Sequence, residues 1–378
     1  MHILDPVIIE KPWGVRPHLI KWCTGIGITR NKLVGELWIA SGLKSLSGKA
    51  NTVRDAASGT TIVDIVGKDV KKFLGPEAVP PKELCGKTEA WYVRDVKGDV
   101  RTITGLREGK GKEEFTRLIK DGYFEQAHDF EELEKEVFKT KKFKRNAFYV
   151  LLPGTLHTIY APDKESYIVI DEIQQGFGDN ALPILSKILF VTNSALSVQV
   201  HPSGKDVANE KRKGILKQYA TEPTVRVYDF GRGRRSQPEL AADLIHYGRE
   251  GFIKTRPVTV ERGPGCKVTY LGATRYFARE LIEVRRGYEC SALEIRGRYF
   301  ILHCIDGEGL VNWKSGELRL ERGITVAVPA WVESLSLKTN SGCIFYRDYL
   351  PDLRLLRRTL KSGGISDKQI GGMIIEAD

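Results

Sequence analysis

The sequence predicts a mostly β protein of two barrel-like β domains, with a small helical insert in the first. Short apolar runs separated by glycine- and proline-rich turns recur along most of the 378 residues. Between about 109 and 140 the apolar residues recur instead at three- and four-residue spacing, which is typical of helices. From about 257 onward the short runs return, which favours a second barrel.

The length of the chain suits two domains. We expect a metal-binding domain over residues 1–255, containing the insert, and a second domain over residues 256–378. The second domain has a single histidine, His303, and no set of partners for it, so we assign it no metal.

Composition is that of a soluble globular protein, with 41% hydrophobic and 28% charged residues. No apolar run approaches the ~20 residues of a membrane helix, and the first residues lack a basic leader, so we expect a cytoplasmic protein that binds no membrane. The cysteines are scattered without a C-x-x-C pair, so we expect buried, reduced thiols rather than a cysteine zinc site or a disulfide framework. They are Cys23, Cys85, Cys266, Cys290, Cys304 and Cys343.

The net charge of +11 favours an anionic partner, either nucleic acid or a small phosphorylated metabolite. Lysine and arginine are interleaved with acidic residues, and no recognition helix, zinc finger or RNA-binding signature is present. We therefore expect a small anionic ligand and no nucleic acid.

The N-terminal part predicts a β-meander. Strands are expected at 7–9 and at 35–41, with Pro12 and Gly14 fixing a turn between them. The next strand, GKTEAWYV at 86–93, places Lys87, Glu89 and Trp91 on one face by alternation. Taken alone, such a Lys-x-Glu pair is most often a surface salt bridge.

The insert predicts two helices separated by Gly122. Its aromatic and aliphatic side chains are better explained as a buried seam between helices than as a ligand site. The seam residues are Phe115, Leu118, Ile119, Phe130, Leu133 and Val137.

Strand character returns at 146–152, and the Pro153-Gly154 turn that follows leads into His157. A histidine at that place can point into a barrel, although a lone histidine is more often structural than a ligand. The strand Tyr167 to Gln175 carries Glu172.

The stretch LSVQVHP places three polar side chains, Ser197, Gln199 and His201, on one face of a strand and two valines on the other. Burying such groups unpaired costs roughly 1–3 kcal/mol each, so either they face water at a sheet edge or a metal or polar ligand binds them. The strand TVRVYDF then carries Arg226, and the basic run Gly231–Arg235 after it is either a solvated loop or a phosphate contact. Near the end of the chain, residues 354–361 predict a short helix.

Two imidazoles, one carboxylate and one amide form an N2O2 set that suits zinc, and ligand type leaves iron and manganese open. The four ligands are Gln199, His201, Glu89 and His157. Cationic and polar residues expected around them favour an anionic, oxygen-rich substrate: Lys87, Lys187, Ser197, Glu172 and Arg226.

Several segments together resemble the type I phosphomannose isomerases, zinc enzymes of the cupin superfamily that interconvert mannose 6-phosphate and fructose 6-phosphate. The resemblance covers most of residues 10–235, and the C-terminal part is similar to the second, metal-free cupin domain of that family. The segments are KPWG, GELW, GKTEAWY, LPGTLH, DEIQQ, PILSKIL, LSVQVHP and TVRVYDFGR, of which LSVQVHP and GKTE together are the most specific.

The resemblance implies two cupin-type jelly-roll domains and one zinc ion per chain, bound by the four ligands named above. It also implies that Glu172 is the proton-transfer base and that Arg226 holds the substrate and stabilises charge. Lys87, Lys187 and Ser197 match positions associated with binding of substrate and phosphate.

The order of the segments departs from the family pattern. In the family the block from PILSKIL to QVHP precedes GKTE, whereas here the block from about 180 to 222 follows DEIQQ. Because a metal site depends on geometry rather than on chain order, we expect this strand to enter the usual position in the barrel.

The resemblance therefore implies a mannose-6-phosphate isomerase, and we expect it to act as a monomer or homodimer on a sugar phosphate. Three alternatives remain: a non-catalytic cupin that binds a sugar or sugar phosphate, an isomerase of another sugar phosphate, and a nucleic-acid-binding protein.

Overall fold

The computed structural model describes residues 1–16, 32–42, 50–78, 86–127, 129–176, 182–209 and 223–376. In these residues the protein is mostly β, as the sequence predicts. Up to residue 254 the strands are β1 His2–Leu4, β2 Val7–Val15, β3 Val34–Ala40, β4 Glu89–Lys97, β5 Arg101–Leu106, β6 Phe138–Lys142, β7 Phe148–Leu151, β8 Tyr160–Ala161, β9 Tyr167–Gln175, β10 Ile184–Thr192, β11 Ser194–Ala195, β12 Val198–Val200, β13 Val225–Tyr228 and β14 Phe252–Lys254.

Further strands and a few short helices complete the fold. The later strands are β15 Val258–Glu261, β16 Cys266–Ala273, β17 Ala278–Val284, β18 Glu289–Cys290, β19 Phe300–Trp313, β20 Gly316–Glu321, β21 Thr325–Val328, β22 Leu335–Lys338 and β23 Cys343–Tyr349. The helices are α1 Ile62–Lys68, α2 Val70–Leu74, α3 Lys112–Lys120, α4 Tyr123–Gln126, α5 Phe130–Glu136, α6 Gly204–Ala208, α7 Pro238–Leu244, α8 Leu353–Ser362 and α9 Asp367–Met373.

Two large antiparallel sheets dominate the structure. The first sheet has the order β14-β7-β4-β9-β10-β3-β2. The second sheet has the order β1-β21-β19-β23-β17-β16-β15, with β18, β20 and β22 joined to it. Smaller sheets are formed by β11-β8-β5-β6 and by β12-β13. The alternating apolar pattern read from the sequence thus becomes strands with two distinct faces.

One face of the first sheet packs against the second sheet. Ala90 and Tyr92 on β4, Val150 on β7 and Ile173 on β9 belong to the same buried core as the second sheet. Their neighbours Trp91, Tyr149, Leu151 and Ile170 point the other way, into a separate core. The first sheet therefore presents one face to the second sheet. Its other face carries the separate core together with the polar residues identified from the sequence.

The chain passes from the first sheet to the second between β14 and β15, next to the predicted domain boundary at residue 255. The first strand, β1, nevertheless pairs with β21 of the second sheet, His2 opposite Ala327. The division into two domains stays a prediction.

The helical insert lies where the spacing predicts it, but its described residues form three short helices, α3, α4 and α5, instead of two; Gly122 separates α3 from α4. Phe115, Phe124, Phe130 and Leu133 are buried in a core that also contains residues of α7, β12 and β13. The insert is therefore an apolar seam, as expected, and its last predicted residues, 138–140, belong to β6 instead.

The expected turn at Pro12 and Gly14 is wrong, because β2 runs through both residues from Val7 to Val15. β2 is the last strand at its edge of the first sheet, and proline is tolerated on an edge strand because its missing N–H is not needed there. A Cβ at Gly14 would lie 2.5 Å from the backbone of Val34, so glycine allows the two strands to approach closely.

The expectation that all cysteines are free thiols is also wrong. Cys266 on β16 and Cys290 on β18 form a disulfide, with their Cα atoms 5.4 Å apart. The two cysteines are 24 positions apart in the sequence and form no motif, so the pairing follows from packing that the sequence pattern does not reveal. Cys304 and Cys343 are buried thiols, as expected, whereas Cys23 and Cys85 lie outside the described residues.

None of the helices in the described ranges is long and apolar enough to cross a membrane.

Candidate metal centre and active site

The transposed strand β12 lies beside the strands that carry the other predicted ligands. His157 and Gln199 exchange two backbone hydrogen bonds, of 3.0 and 3.1 Å. The backbone N–H of Gly154 donates to the carbonyl of His201 at 2.8 Å, and that of Lys87 donates to the carbonyl of Pro202 at 3.1 Å. The strand is therefore held by the segments that lead to His157 and to Glu89, although it follows both in the chain.

Gly86 makes one of these close approaches possible. Its φ is +84°, and a Cβ there would lie 2.8 Å from the backbone of residues 202–204. Only glycine combines this conformation with this contact at no steric cost. The glycine of GKTE thus lets the start of β4 meet the end of the QVHP segment.

Glu89, His157 and His201 converge in the buried space that results. One carboxylate oxygen of Glu89 lies 3.4 Å from Nε2 of His157, and the other lies 3.4 Å from Nε2 of His201. The candidate ligand atoms all lie within 4.8 Å of one another, and each of the three residues is at most 2% exposed. The two imidazole rings are 4.9 Å apart between centroids.

Backbone carbonyls fix the tautomer of both histidines. Nδ1 of His157 donates to the carbonyl of Thr155 at 2.9 Å, and Nδ1 of His201 donates to the carbonyl of Pro223 at 2.8 Å. The lone pair of each neutral imidazole is therefore on Nε2, the nitrogen that faces Glu89. Metal-binding histidines are commonly oriented by such a second hydrogen bond.

The protonation states also match those of metal ligands. Burial lowers the pKa of His157 to about 4 and lowers the pKa of His201 as well. Burial by itself raises the pKa of Glu89, but the positive charge around it, that of Lys87 first, outweighs burial, and the pKa lies well below its usual value. At neutral pH the three side chains are two neutral imidazoles and one carboxylate, the forms that bind a divalent cation.

A divalent metal ion fits these residues. Oε1 of Glu89 and Nε2 of His201 are buried and have no hydrogen-bond partner, and leaving such atoms unsatisfied costs roughly 1–3 kcal/mol each. The amide nitrogen of Gln199 lies 3.1 Å from Nε2 of His157, and its oxygen accepts a hydrogen bond from Ser197 at 3.0 Å. Among the described residues, no other group of three His, Cys, Asp or Glu side chains converges in this way.

The predicted cations and the predicted base lie next to the candidate metal ligands. Nζ of Lys87 is 2.7 Å from Glu89 and 3.8 Å from Glu172. Nζ of Lys187 is 3.1 Å from the same oxygen of Glu172. All four side chains are less than 10% exposed, so the Lys87–Glu89 pair is not the surface salt bridge that such a pattern usually forms. Two buried lysines therefore face two buried carboxylates.

Seven of the nine sequence-predicted site residues line one small cleft, and the other two, His157 and His201, contact Glu89 in its lining. Arg226 on β13 lies opposite Gln199 on β12, and both line the cleft together with Ser197, Lys187 and Glu172.

The other residues that line the cleft were not assigned to the site from the sequence: Trp13, Glu36, Trp91, Leu189, Leu196, Thr224 and Arg234. Strand alternation had placed Trp91 on the face of Glu89, and Trp13 and Glu36 lie in KPWG and GELW. The pattern or motif that contains each of these three residues was recognised, but it did not identify the residue as part of the site.

The basic run after β13 is neither fully solvated nor wholly in the cleft. Arg232 and Arg234 both bind the buried carboxylate of Asp229 and lie 5.1 Å from the ring of Trp13. Arg234 alone of these two arginines lines the cleft.

Solved mannose 6-phosphate isomerases have a similar structure over almost their whole length. The enzyme from Bacillus subtilis matches with a TM-score of 0.61 at 19% identity, covering 92% of this chain and 98% of that one. The Salmonella typhimurium enzyme with bound substrate (F6P) and zinc matches with a TM-score of 0.56 at 11% identity, covering 92% and 99%. A comparison with protein families and a search of curated proteins found no match. The chain therefore has the fold of these isomerases.

Proposed function

We propose that the protein is a zinc-dependent aldose–ketose isomerase that interconverts mannose 6-phosphate and fructose 6-phosphate. The proposal rests on one observation: a group of side chains able to bind a metal ion lies beside a buried carboxylate that can act as a base. A buried Glu89–His157–His201 group with unsatisfied ligand atoms lies beside Glu172, a carboxylate held by two lysines. The fold of the chain is that of enzymes with this activity.

One zinc ion per chain would be held by Glu89, His157, His201 and Gln199, a ligand set of two nitrogens and two oxygens. To bind the metal, the amide of Gln199 turns so that its oxygen, instead of its nitrogen, faces His157. When bound, zinc polarises and aligns the substrate oxygens as a Lewis acid.

Glu172 is the proposed base. Its carboxylate removes the proton from C2 of the open-chain aldose, the C2–H electrons form the C1–C2 double bond of an enediolate, and the carboxylic acid returns the proton to C1. The proton of the C2 hydroxyl passes to the oxygen on C1, so the reaction needs no redox partner. Lys187, 3.1 Å away, stabilises the ionised carboxylate between turnovers.

The remaining residues supply positive charge and hydrogen bonds for an anionic substrate. Arg226 stabilises the enediolate. Lys87, Lys187 and Ser197 bind the hydroxyl groups and the phosphate. The excess positive charge of the whole chain, +11, attracts a phosphorylated sugar at long range.

The test is a coupled assay for fructose 6-phosphate formation from mannose 6-phosphate. It is run on zinc-loaded protein, after chelation, and after zinc is restored. Turnover that is lost on chelation and recovered with zinc supports the proposal.

Other outcomes identify the alternatives. Protein with one zinc per chain that binds the sugar phosphate without turning it over is a binding protein. Turnover of glucose 6-phosphate instead of mannose 6-phosphate marks a different isomerase. Protein that binds no zinc refutes the metal centre.

A further inference from the structure

A buried polar network joins the back of the first sheet to the second sheet. We call it the inter-sheet network. It consists of Arg94, Asp171, Ser186, Arg279, Tyr346 and Asp348, each at most 5% exposed.

Asp171 on β9 is one centre of the network. Its carboxylate accepts hydrogen bonds from Arg94 on β4, at 2.8 Å, and from the hydroxyl of Tyr346 on β23, at 2.6 Å. Its backbone carbonyl accepts a third, at 2.8 Å, from Arg279 on β17. A single residue of the first sheet is thus held by two strands of the second.

Asp348 on β23 is the other centre. Its carboxylate accepts two hydrogen bonds from Arg279, at 2.7 and 2.6 Å, and one from the hydroxyl of Ser186 on β10, at 2.6 Å. Two arginines and two aspartates balance one another, so the network buries four charges without a net charge. A buried network of this kind confers a defined geometry when all its members are bonded.

The network lies on the opposite face of the first sheet from the cleft, at the same positions along β9 and β10. Asp171 immediately precedes Glu172 on β9, and Ser186 immediately precedes Lys187 on β10. Because successive side chains of a strand point to opposite faces, the network holds the backbone on one side while Glu172 and Lys187 meet on the other. Arg94 ties in β4, the strand that begins with Glu89.

We propose that the inter-sheet network positions Glu172 and Lys187, so that the second sheet sets the geometry of the cleft without contributing a side chain to it. The catalytic meaning of this inference rests on the proposed isomerase function. The network residues are positioning residues, since none of them lines the cleft.

Two tyrosines on β23 provide a matched pair of variants. Tyr346→Phe removes the hydroxyl that reaches across to Asp171. Tyr349→Phe removes a hydroxyl that is equally buried and also bound to a carboxylate, Glu280, within the second sheet. Both tyrosines are at most 5% exposed, so the two changes remove similar interactions and leave similar packing.

For zinc-loaded protein we expect Tyr346→Phe to lower kcat by about tenfold with KM and zinc content unchanged, because small misplacements of reacting groups reduce rates steeply. Tyr349→Phe should retain kcat even though its Tm falls by a similar amount. Amide hydrogen exchange adds a readout that does not depend on turnover: exchange in Tyr167–Gln175 should increase in Tyr346→Phe and not in Tyr349→Phe.

Equal exchange of this segment in the two variants overturns the inference. Equal kcat values of the two variants, when the wild-type protein is active, overturn it too. If the wild-type protein does not turn over mannose 6-phosphate, the proposed function fails, and the exchange comparison still decides whether the network positions β9.

Discussion

Replacing Glu172 by glutamine separates the proposed base from the metal centre. The amide has almost the shape of the carboxylate, so the substitution leaves no cavity at a side chain that is only 3% exposed. It removes the only group in the proposed mechanism that accepts the C2 proton. We expect Glu172→Gln to fold and to bind one zinc per chain.

The size of the effect follows from the role and the surroundings of Glu172. General-base catalysis contributes typically 10²–10⁴-fold, so kcat should fall by at least about 10²-fold, equivalent to about 2.7 kcal/mol or more of transition-state stabilisation. Nζ of Lys187, 3.1 Å from Glu172, and Nζ of Lys87, 3.8 Å away, lose part of their counter-charge. The cleft becomes more positive, so KM for an anionic sugar phosphate should stay the same or fall.

The assay measures kcat and KM with mannose 6-phosphate together with zinc content and Tm. Glu165→Gln is a suitable control, because Glu165 precedes the same strand and its side chain is 86% exposed in a pair with Lys97. A Glu172→Gln variant with kcat within tenfold of the wild type, and with zinc bound, would remove Glu172 from the base role.

Three further outcomes follow from the structure. His201→Ala should lose zinc and activity together, because His201 is on the transposed strand; an active, zinc-replete variant would show that this strand does not serve the site. Replacing both Cys266 and Cys290 by alanine should lower the free energy of unfolding by about 3 kcal/mol, as expected for a cross-link over 24 residues, and leave zinc content unchanged; unaltered denaturant unfolding would contradict it. Burial, with Arg94 and Arg279, lowers the pKa of His303 well below 6.5, so below about pH 6.5 the unfolded chain binds a proton that the folded chain does not. The free energy of unfolding of the wild type should therefore fall, as the pH drops from 6.5 towards 5, more steeply than that of His303→Gln by up to about 1.4 kcal/mol per pH unit; equal slopes in urea unfolding would contradict this.

Strand alternation predicted much of the candidate site, because it depends only on local geometry. It placed Ser197, Gln199 and His201 on one face of the segment that contains β12, and the structure directs the valines between them into an apolar core. It likewise placed Lys87 and Glu89 together, and they form a buried pair.

Properties that depend on distant neighbours were not predictable in this way. Pro12 and Gly14 read as a turn because the sequence does not show that β2 lies at a sheet edge. The partner of Cys266 could not be chosen from spacing alone. Trp13 on β2 and Glu36 on β3 line the cleft together with Lys187 on β10, and only the folded sheet brings these strands together.

Chain order proves to be the least informative feature of this site. The strand with Gln199 and His201 follows β9 in the chain, yet its backbone bonds to His157 and to the segment before Glu89 place it where the ligands meet. These hydrogen bonds are made by the backbone of the Gln199–Pro202 segment itself: two with His157, one with Gly154 and one with Lys87. A strand whose position is set by such bonds and by its own apolar face can be reached by a different connection without changing the site. The motif LSVQVHP therefore predicts the metal centre better than its place in the sequence does.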